Sequence, residues 1–295
     1  MATKIVIPEQ LKQELPPNIW GKILGATPII MTVIATMLAG LASSEMTKAQ
    51  YDRALAAQLQ SKAGDQWGYF QAKKLRSALA RNTLDLLAAA SDITPLEDTS
   101  LPAIAPATST ALIQGQLPAA TLAPLPAEVQ TALDRLGDAR PEAEIASAVA
   151  KISPATLAQT LAGAQDAARS FDTALKPINQ AVDQLDETLM KGDRKFFRSF
   201  SAARLRFTAA HYDAEARLNL TVAGIYELQV RQNNYSAEKH HARSGKFFLG
   251  MLAAQMAVII STFALAARKH SFLWSLAAAA GAAAVAFSVY VYLCV

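Results

Sequence analysis

From Ile23 to Ala42 the chain runs through about twenty apolar or small residues without one charged side chain, long enough to cross a bilayer as a single helix. Phe247 to Ala267 and Phe272 to Leu293 are charge-free in the same way. Three such stretches dictate the expected architecture. Everything between Glu45 and Lys246 becomes a loop with both ends fixed on one side of a membrane. The apolar excess, with 52% hydrophobic residues and a mean hydropathy of +0.17, is concentrated in these stretches. Lys4, Lys12 and Lys22 before the first run, and Gly40-Leu41-Ala42 near its end, resemble a secretory signal. The run exceeds the roughly 7 to 15 residues of a signal core, so an uncleaved anchor is expected.

The polar region is almost neutral, with 23 Lys or Arg from Lys48 to Lys246 against 22 Asp or Glu from Glu45 to Glu238. That balance argues against nucleic acid as a partner. The single cysteine, Cys294, excludes an internal disulfide framework and a cysteine-based zinc cage.

Taken in order, residues 1–20 read as an interfacial segment with a short helix from Ile5 to Leu15, ended by Pro16-Pro17, and Trp20 at the headgroup level. Residues 21–44 form the first span. Along it Gly25, Thr32, Thr36, Gly40 and Ser43 recur at helical spacing, a seam of small and hydroxyl side chains suited to close helix packing or to lining a pore. Residues 45–91 lack proline, are rich in Ala, Leu, Gln, Lys and Arg, and place Tyr69, Ala72, Leu79 and Leu86 on one face, predicting an outgoing stalk helix of roughly 70 Å. Prolines from Pro95 to Pro126 open a Pro/Ala-rich distal head over 92–192. Short helices are predicted there at Ala127–Leu136 and Pro141–Ile152, then a longer one opening at Ser153-Pro154 and running to about Lys191. From 193 to 246 a stripe of Phe196, Phe200, Phe207, Ala214, Leu218, Val222 and Ile225 predicts a returning stalk helix. A second span (247–267), a basic turn (268–271) and a small-sided third span (272–294) close the chain. The expected fold is all-α, with three transmembrane helices, a long antiparallel coiled-coil-like hairpin and a helical head.

The densest local signature is Asp65, Gln66, Trp67, Tyr69, Phe70, Gln71, Ala72 and Lys73. Here the chain resembles the bacterial family called domain of unknown function 4337. Its members look like three-span membrane proteins with an Asp-Gln-Trp-x-Tyr-Tyr/Phe-Gln-Ala-Lys segment after the first span. The closing spans look similar too, with His241 and Arg243 before the second and Arg268, Lys269 and Trp274 around the final turn. The resemblance covers mainly residues 22–90 and 200–294 and departs in the Pro/Ala-rich head. It implies an architecture and adds no chemistry.

Glu238-Lys239-His240-His241 contains the Glu-x-x-His spacing of di-iron bundles, but the second copy and further carboxylates such a site needs are not evident, and His211 with Glu215 is similarly isolated. Arg194, Lys195, Arg198, Arg204 and Arg206 among phenylalanines read as the solvated face of a core stripe. No phosphate loop, nucleophile elbow or dinucleotide fingerprint is present. The runs Ile23–Ala42, Phe247–Ala267 and Phe272–Leu293 hold no Asp, Glu, Lys, Arg or His, which disfavours a coupled transporter.

The resulting expectation is a non-enzymatic scaffold or docking protein of a bacterial inner membrane, without cofactor or metal, in contact with lipid, self-associating, and open to a protein partner at its head. The alternatives are a pore component lined by Thr32, Thr36 and Ser43, and an accessory subunit of a larger membrane complex. Lys4, Lys12, Lys22, Arg268 and Lys269 place the N-terminus in the cytoplasm and the stalk and head in the periplasm. Lys48, Arg53, Lys239, Arg243 and Lys246 count the other way.

Overall fold

The structure, a computed structural model, describes residues 19–96, 105–119, 122–190, 193–266 and 272–294. Every regular element among them is helical: α1 (Ile19–Ala90), α2 (Pro106–Ser109) running into a π turn (Thr110–Gln114), α3 (Ala127–Gly137), α4 (Glu142–Val149), α5 (Pro154–Leu189), α6 (Arg194–Ala266) and α7 (Phe272–Cys294). The fold is all-α. The interfacial segment expected before residue 19 and the basic turn at 268–271 lie outside the described residues. The chain divides into two compact units, one of residues 1–53 with 234–295, the other of residues 54–233.

In the first unit Leu38, Phe247 and Val291 are buried, but much of the interior is small-sided. Small residues meet at the centre: Ala35 and Ala42 from α1, Ala254, Ala257 and Ser261 from α6, Ala277 and Ala284 from α7. Large apolar residues point away from it, among them Ile29, Val33 and Met37 on α1, Phe248, Met256 and Phe263 on α6, and Val289 on α7, each at least half exposed. Only 22% and 28% of the two most apolar stretches of α1 and α6 are buried. A water-soluble core would bury its largest apolar groups first. Close approach of the helices depends on glycine: a Cβ at Gly250 would sit 2.9 Å from Ser288 Oγ and 3.4 Å from Leu38 Cδ1. Gly250→Val is therefore expected to overpack this contact and destabilise the unit by about 1–3 kcal/mol, readable as a lower thermal midpoint in detergent. Polar contacts join the same helices, Ser244 Oγ donating to the Ala42 carbonyl at 2.7 Å and Glu45 Oε2 lying 2.5 Å from His240 Nδ1.

The second unit is organised on α6. The stripe read from the sequence is buried, with Phe200, Phe207, Val222 and Ile225 almost inaccessible. It is α5, however, that supplies the large residues against its first half: Phe171, Leu175, Ile178, Val182 and Leu185 recur at alternating steps of three and four and pack with Phe200, Phe207 and Leu218. Asp186 pairs with Arg204 and Gln165 donates to Tyr226 Oη at 2.8 Å, so α5 and α6 run in opposite directions side by side. Residues of the 92–192 stretch thus pack along α6, in one compact unit with residues 54–90. Helix α5 begins where Ser153 Oγ accepts from Thr156 N at 3.0 Å with Pro154 next. Ser153→Ala is expected to cost about 1 kcal/mol, seen as a small fall in thermal midpoint. Pro177 lies inside α5 without ending it. At the other end of the unit, Gln232 Nε2 donates to the Ile152 carbonyl at 2.7 Å, and Leu133 of α3 fills the space over Gly224.

Helix α1 presents α6 with a different surface from the one its sequence emphasises. Six of its buried positions are spaced by seven or its double, Ala35, Ala42 and Ala49 in the first unit and Ala56, Ala63 and Ser77 in the second, with Leu38, Glu45 and Ala80 buried three residues after members of this series. A repeat of seven gives a 3.5-residue seam, and alanine lets two backbones approach closely. The face expected to pack, Tyr69, Ala72, Leu79 and Leu86, is exposed instead. The large side chains of α6 are already covered by α5, so α1 fits against the remaining narrow side with its small residues.

Candidate functional site

The segment from Asp65 to Lys73 is helical throughout, within α1. A helix spreads nine consecutive residues over all its faces, and the structure separates them accordingly. Asp65, Gln71 and Ala72 face outward. Trp67 and Phe70, one turn apart and half-buried, meet edge to face with centroids 5.6 Å apart. Gln66, Tyr69 and Lys73 converge on a surface cleft of about 480 Å³. Its opposite wall is α5, with Gln165, Arg169 and Asp172; its floor is Ala168 with Leu218 and Val222, and Glu215 and Asn219 of α6 complete the lining. The rim is polar and the floor apolar.

Much of the charge in and beside the cleft is paired. Lys73 contacts Glu215, and its Nζ stands 5.0 Å from the centre of the Tyr212 ring, which Arg76 approaches at 5.6 Å. Arg169 bonds Asp166 at 2.5 Å. One turn along, Asp213 gathers Lys74 at 2.6 Å, Arg217 at 2.9 Å and Arg81 at 3.8 Å. The hydrogen bond from Lys74 is the main reason its carboxyl lies below the usual range, against the opposing effect of burial. Ser77 Oγ donates to the Ala209 carbonyl at 2.9 Å, a buried bond that fixes the helices one turn further on. Beneath this cationic layer lies His211, stacked between Phe207 at 5.0 Å and Tyr212 at 4.1 Å. Burial, reinforced by the nearby Lys73 charge, lowers its pKa to about 4, although the Phe207 carbonyl pulls the other way. It is a neutral ring at physiological pH.

Amides, a phenol and ions around an apolar floor offer hydrogen bonds and contact area, with Glu215 held in an ion pair by Lys73. Of the histidines singled out from sequence, His240 is engaged by Glu45 and His211 by aromatic packing. Among the described residues no group of three or more His, Cys, Asp or Glu is arranged to hold a metal ion.

The seam of the first span is largely uncovered by the described residues. Thr32, Thr36, Gly40 and Ser43 are exposed and Gly25 half-buried, and a Cβ at Gly40 would meet nothing within 4 Å. Thr32 and Thr36 donate to the carbonyls of Pro28 and Thr32 at 2.8 and 2.9 Å, so these hydroxyls are satisfied by their own helix.

Sequence reading found the α1 wall of the cleft and missed its α5 wall. Residues 20–114 match the family model described as Domain of unknown function (DUF4337). Over these residues the chain is similar to that family. No curated protein and no solved structure matches the chain. The DUF4337 segment takes in α1, α2 and the π turn, and with them Gln66, Tyr69 and Lys73. The walls supplied by α5 and α6 lie beyond it. The match does not reach residues 200–294, the other part of the resemblance.

Proposed function

We propose that this is a non-enzymatic membrane protein that acts as a scaffold or docking surface, anchored by the first unit and offering the second to the aqueous phase. The observation that carries the reading is the surface of the first unit, where Ile29, Val33, Met37, Phe248, Met256, Phe263 and Val289 stand exposed around a largely small-sided interior. Such a surface is costly in water and suited to lipid, which solvates large apolar side chains as well as a protein core does. Ile29, Met37, Phe263 and Val289 then face acyl chains, and α1, α6 and α7 are the three spans. Paired residues of α1 and α6 run in opposite senses within each unit, Ala42 with Ser244 and Glu45 with His240 in one, Lys73 with Glu215 and Ser77 with Ala209 in the other. This register supports a hairpin made by the two long helices. Lys4, Lys12, Lys22, Arg268 and Lys269 support an orientation with the N-terminus in the cytoplasm of a bacterial inner membrane and the second unit in the periplasm. The cleft around Tyr69 and Lys73 serves as the docking surface for a protein partner.

Thr32 and Thr36, bonded to their own backbone and facing away from the chain, suit a dry contact between copies better than the lining of a water-filled pore. Native mass spectrometry from lipid nanodiscs able to hold several copies is expected to show a defined homo-oligomer; monomers at every loading would contradict self-association. A cysteine placed at Tyr69 is expected to react with a membrane-impermeant maleimide in intact spheroplasts. Labelling only after the inner membrane is permeabilised would reverse the orientation.

A further inference from the structure

The outward face of α1 in the second unit carries a second seam. Ala72, Leu75, Leu79, Asn82, Leu86 and Ala89 follow one another at steps of three and four, the spacing of the contact positions of a coiled coil, and all six are exposed. The leucines are 61%, 55% and 71% accessible. At 100° per residue Leu79 lies about 160° around the helix from Ser77, so the helix has two seams back to back, one spent on α6 and one facing outward.

We propose that this outer seam is where a second copy of the chain docks, in parallel and in register, as a two-stranded coiled coil. The proposal rests on the membrane-scaffold reading above and names its self-association surface. Self-complementarity selects the occupant. In a parallel two-fold pair Asn82 meets Asn82 of the second copy, and an amide carries both the donors and the acceptor its twin requires. An antiparallel copy or a plain apolar helix sets leucine against Asn82 and leaves a buried amide without a partner, which is disfavoured. Asn82 is the one polar residue among the six contact positions, so the in-register parallel pair is the alignment that gives this amide a polar partner in the seam. On the flanks, Gln71 of one copy comes opposite Arg76 of the other, and no like charges are opposed.

Size sets the conditions. The seam is about 27 Å long and about 10 Å wide, roughly 270 Å² per copy, well below the about 800 Å² per partner of a stable interface in free solution. It suits chains already held side by side, where anchorage in one membrane supplies a high effective concentration and presents both copies in the same direction.

The test is disulfide formation in native membranes, using the full-length chain with Cys294→Ser and one new cysteine at a time. Leu75→Cys, Leu79→Cys, Asn82→Cys and Leu86→Cys are expected to give at least about tenfold more oxidised dimer than Arg81→Cys and Ala88→Cys, which are exposed and about 100° or more around the helix from each of those four positions. Equal yields at all positions, or none at any, would overturn the proposal. So would bonds to a different protein, or a cysteine at Asn82 that neither dimerises nor reacts with maleimide, which would mean the seam is covered by another part of the chain. Oligomers in nanodiscs without seam cross-links would leave the scaffold reading standing and remove this one. Seam cross-links in a chain found free of the membrane would do the reverse. Asn82→Leu keeps the helix and tests register: it is expected to retain dimer while spreading the cross-links to offset pairs, and an unchanged pattern would count against the role of the amide.

Discussion

Replacing Phe207 with alanine is expected to destabilise the second unit by about 3–5 kcal/mol, the usual cost of emptying a closed site of a phenyl ring. Phe207 is 2% accessible and belongs to the cluster that joins α5 to α6. Its neighbours Phe171, Phe200 and Leu175 are held by helices on either side, so they have little freedom to close the space. For a domain of this size the loss corresponds to a fall of roughly 6 to 20 °C in thermal midpoint. Circular dichroism of the full chain in mild detergent measures it. Leu79→Ala serves as the contrast, because Leu79 is 55% exposed and touches no core, and a change within about 0.5 kcal/mol is expected. A large loss at Leu79 in dilute monomer, or none at Phe207, would mean that the core has been assigned to the wrong side of the helices.

Acid is expected to weaken the same unit through His211, by about 3 kcal/mol in all. Its folded pKa of about 4 lies below the ordinary 6.5, chiefly because burial penalises the imidazolium and secondarily because Lys73 repels it. Above pH 6.5 the ring is neutral whether the chain is folded or not, and nothing is lost. Between 6.5 and about 4 the unfolded chain takes up a proton that the folded one refuses, so stability falls by up to about 1.4 kcal/mol per pH unit. Below about 4 both states are protonated and the loss levels off. Asp213 acts in a separate window: its lowered pKa means that its contribution, present above the ordinary 3.8, disappears only as the pH drops further. His211→Phe keeps an aromatic ring against Phe207 and Tyr212 and removes the titrating group. Denaturation midpoints measured from pH 7 to pH 4 are expected to be nearly flat in that variant and to fall in the wild type; parallel curves would assign the acid sensitivity elsewhere.

Helices α5 and α6 were legible because their signals are local. Ser153-Pro154 is a cap followed by a first-turn proline, and the phenylalanines at 200 and 207 mark a stripe that nothing interrupts. What covers that stripe was not legible. Leu79 and Leu86 drew attention to one face of α1, whereas the face used within the chain is built of Ala56, Ala63 and Ser77, which do not stand out in a segment so rich in alanine. Small residues carry weak hydropathy signals, and their value lies in how closely they let a neighbour approach, a property of two helices together. The cleft shows the same division. Gln66, Tyr69 and Lys73 could be named from one segment, but the pairing of Lys73 with Glu215 spans many residues of intervening chain, and the Gln165 and Asp172 wall follows from the packing of α5. Charges at such separations find one another only after the apolar faces have chosen their partners.

Fractionation of lysed cells is the most direct measurement. After an alkaline carbonate wash the full chain is expected to stay in the high-speed membrane pellet and to be released by mild detergent, because Ile29, Met37, Phe248 and Phe263 of the first unit require an apolar solvent. Recovery of the protein in the supernatant without detergent would contradict lipid as that solvent, and the anchored scaffold with it.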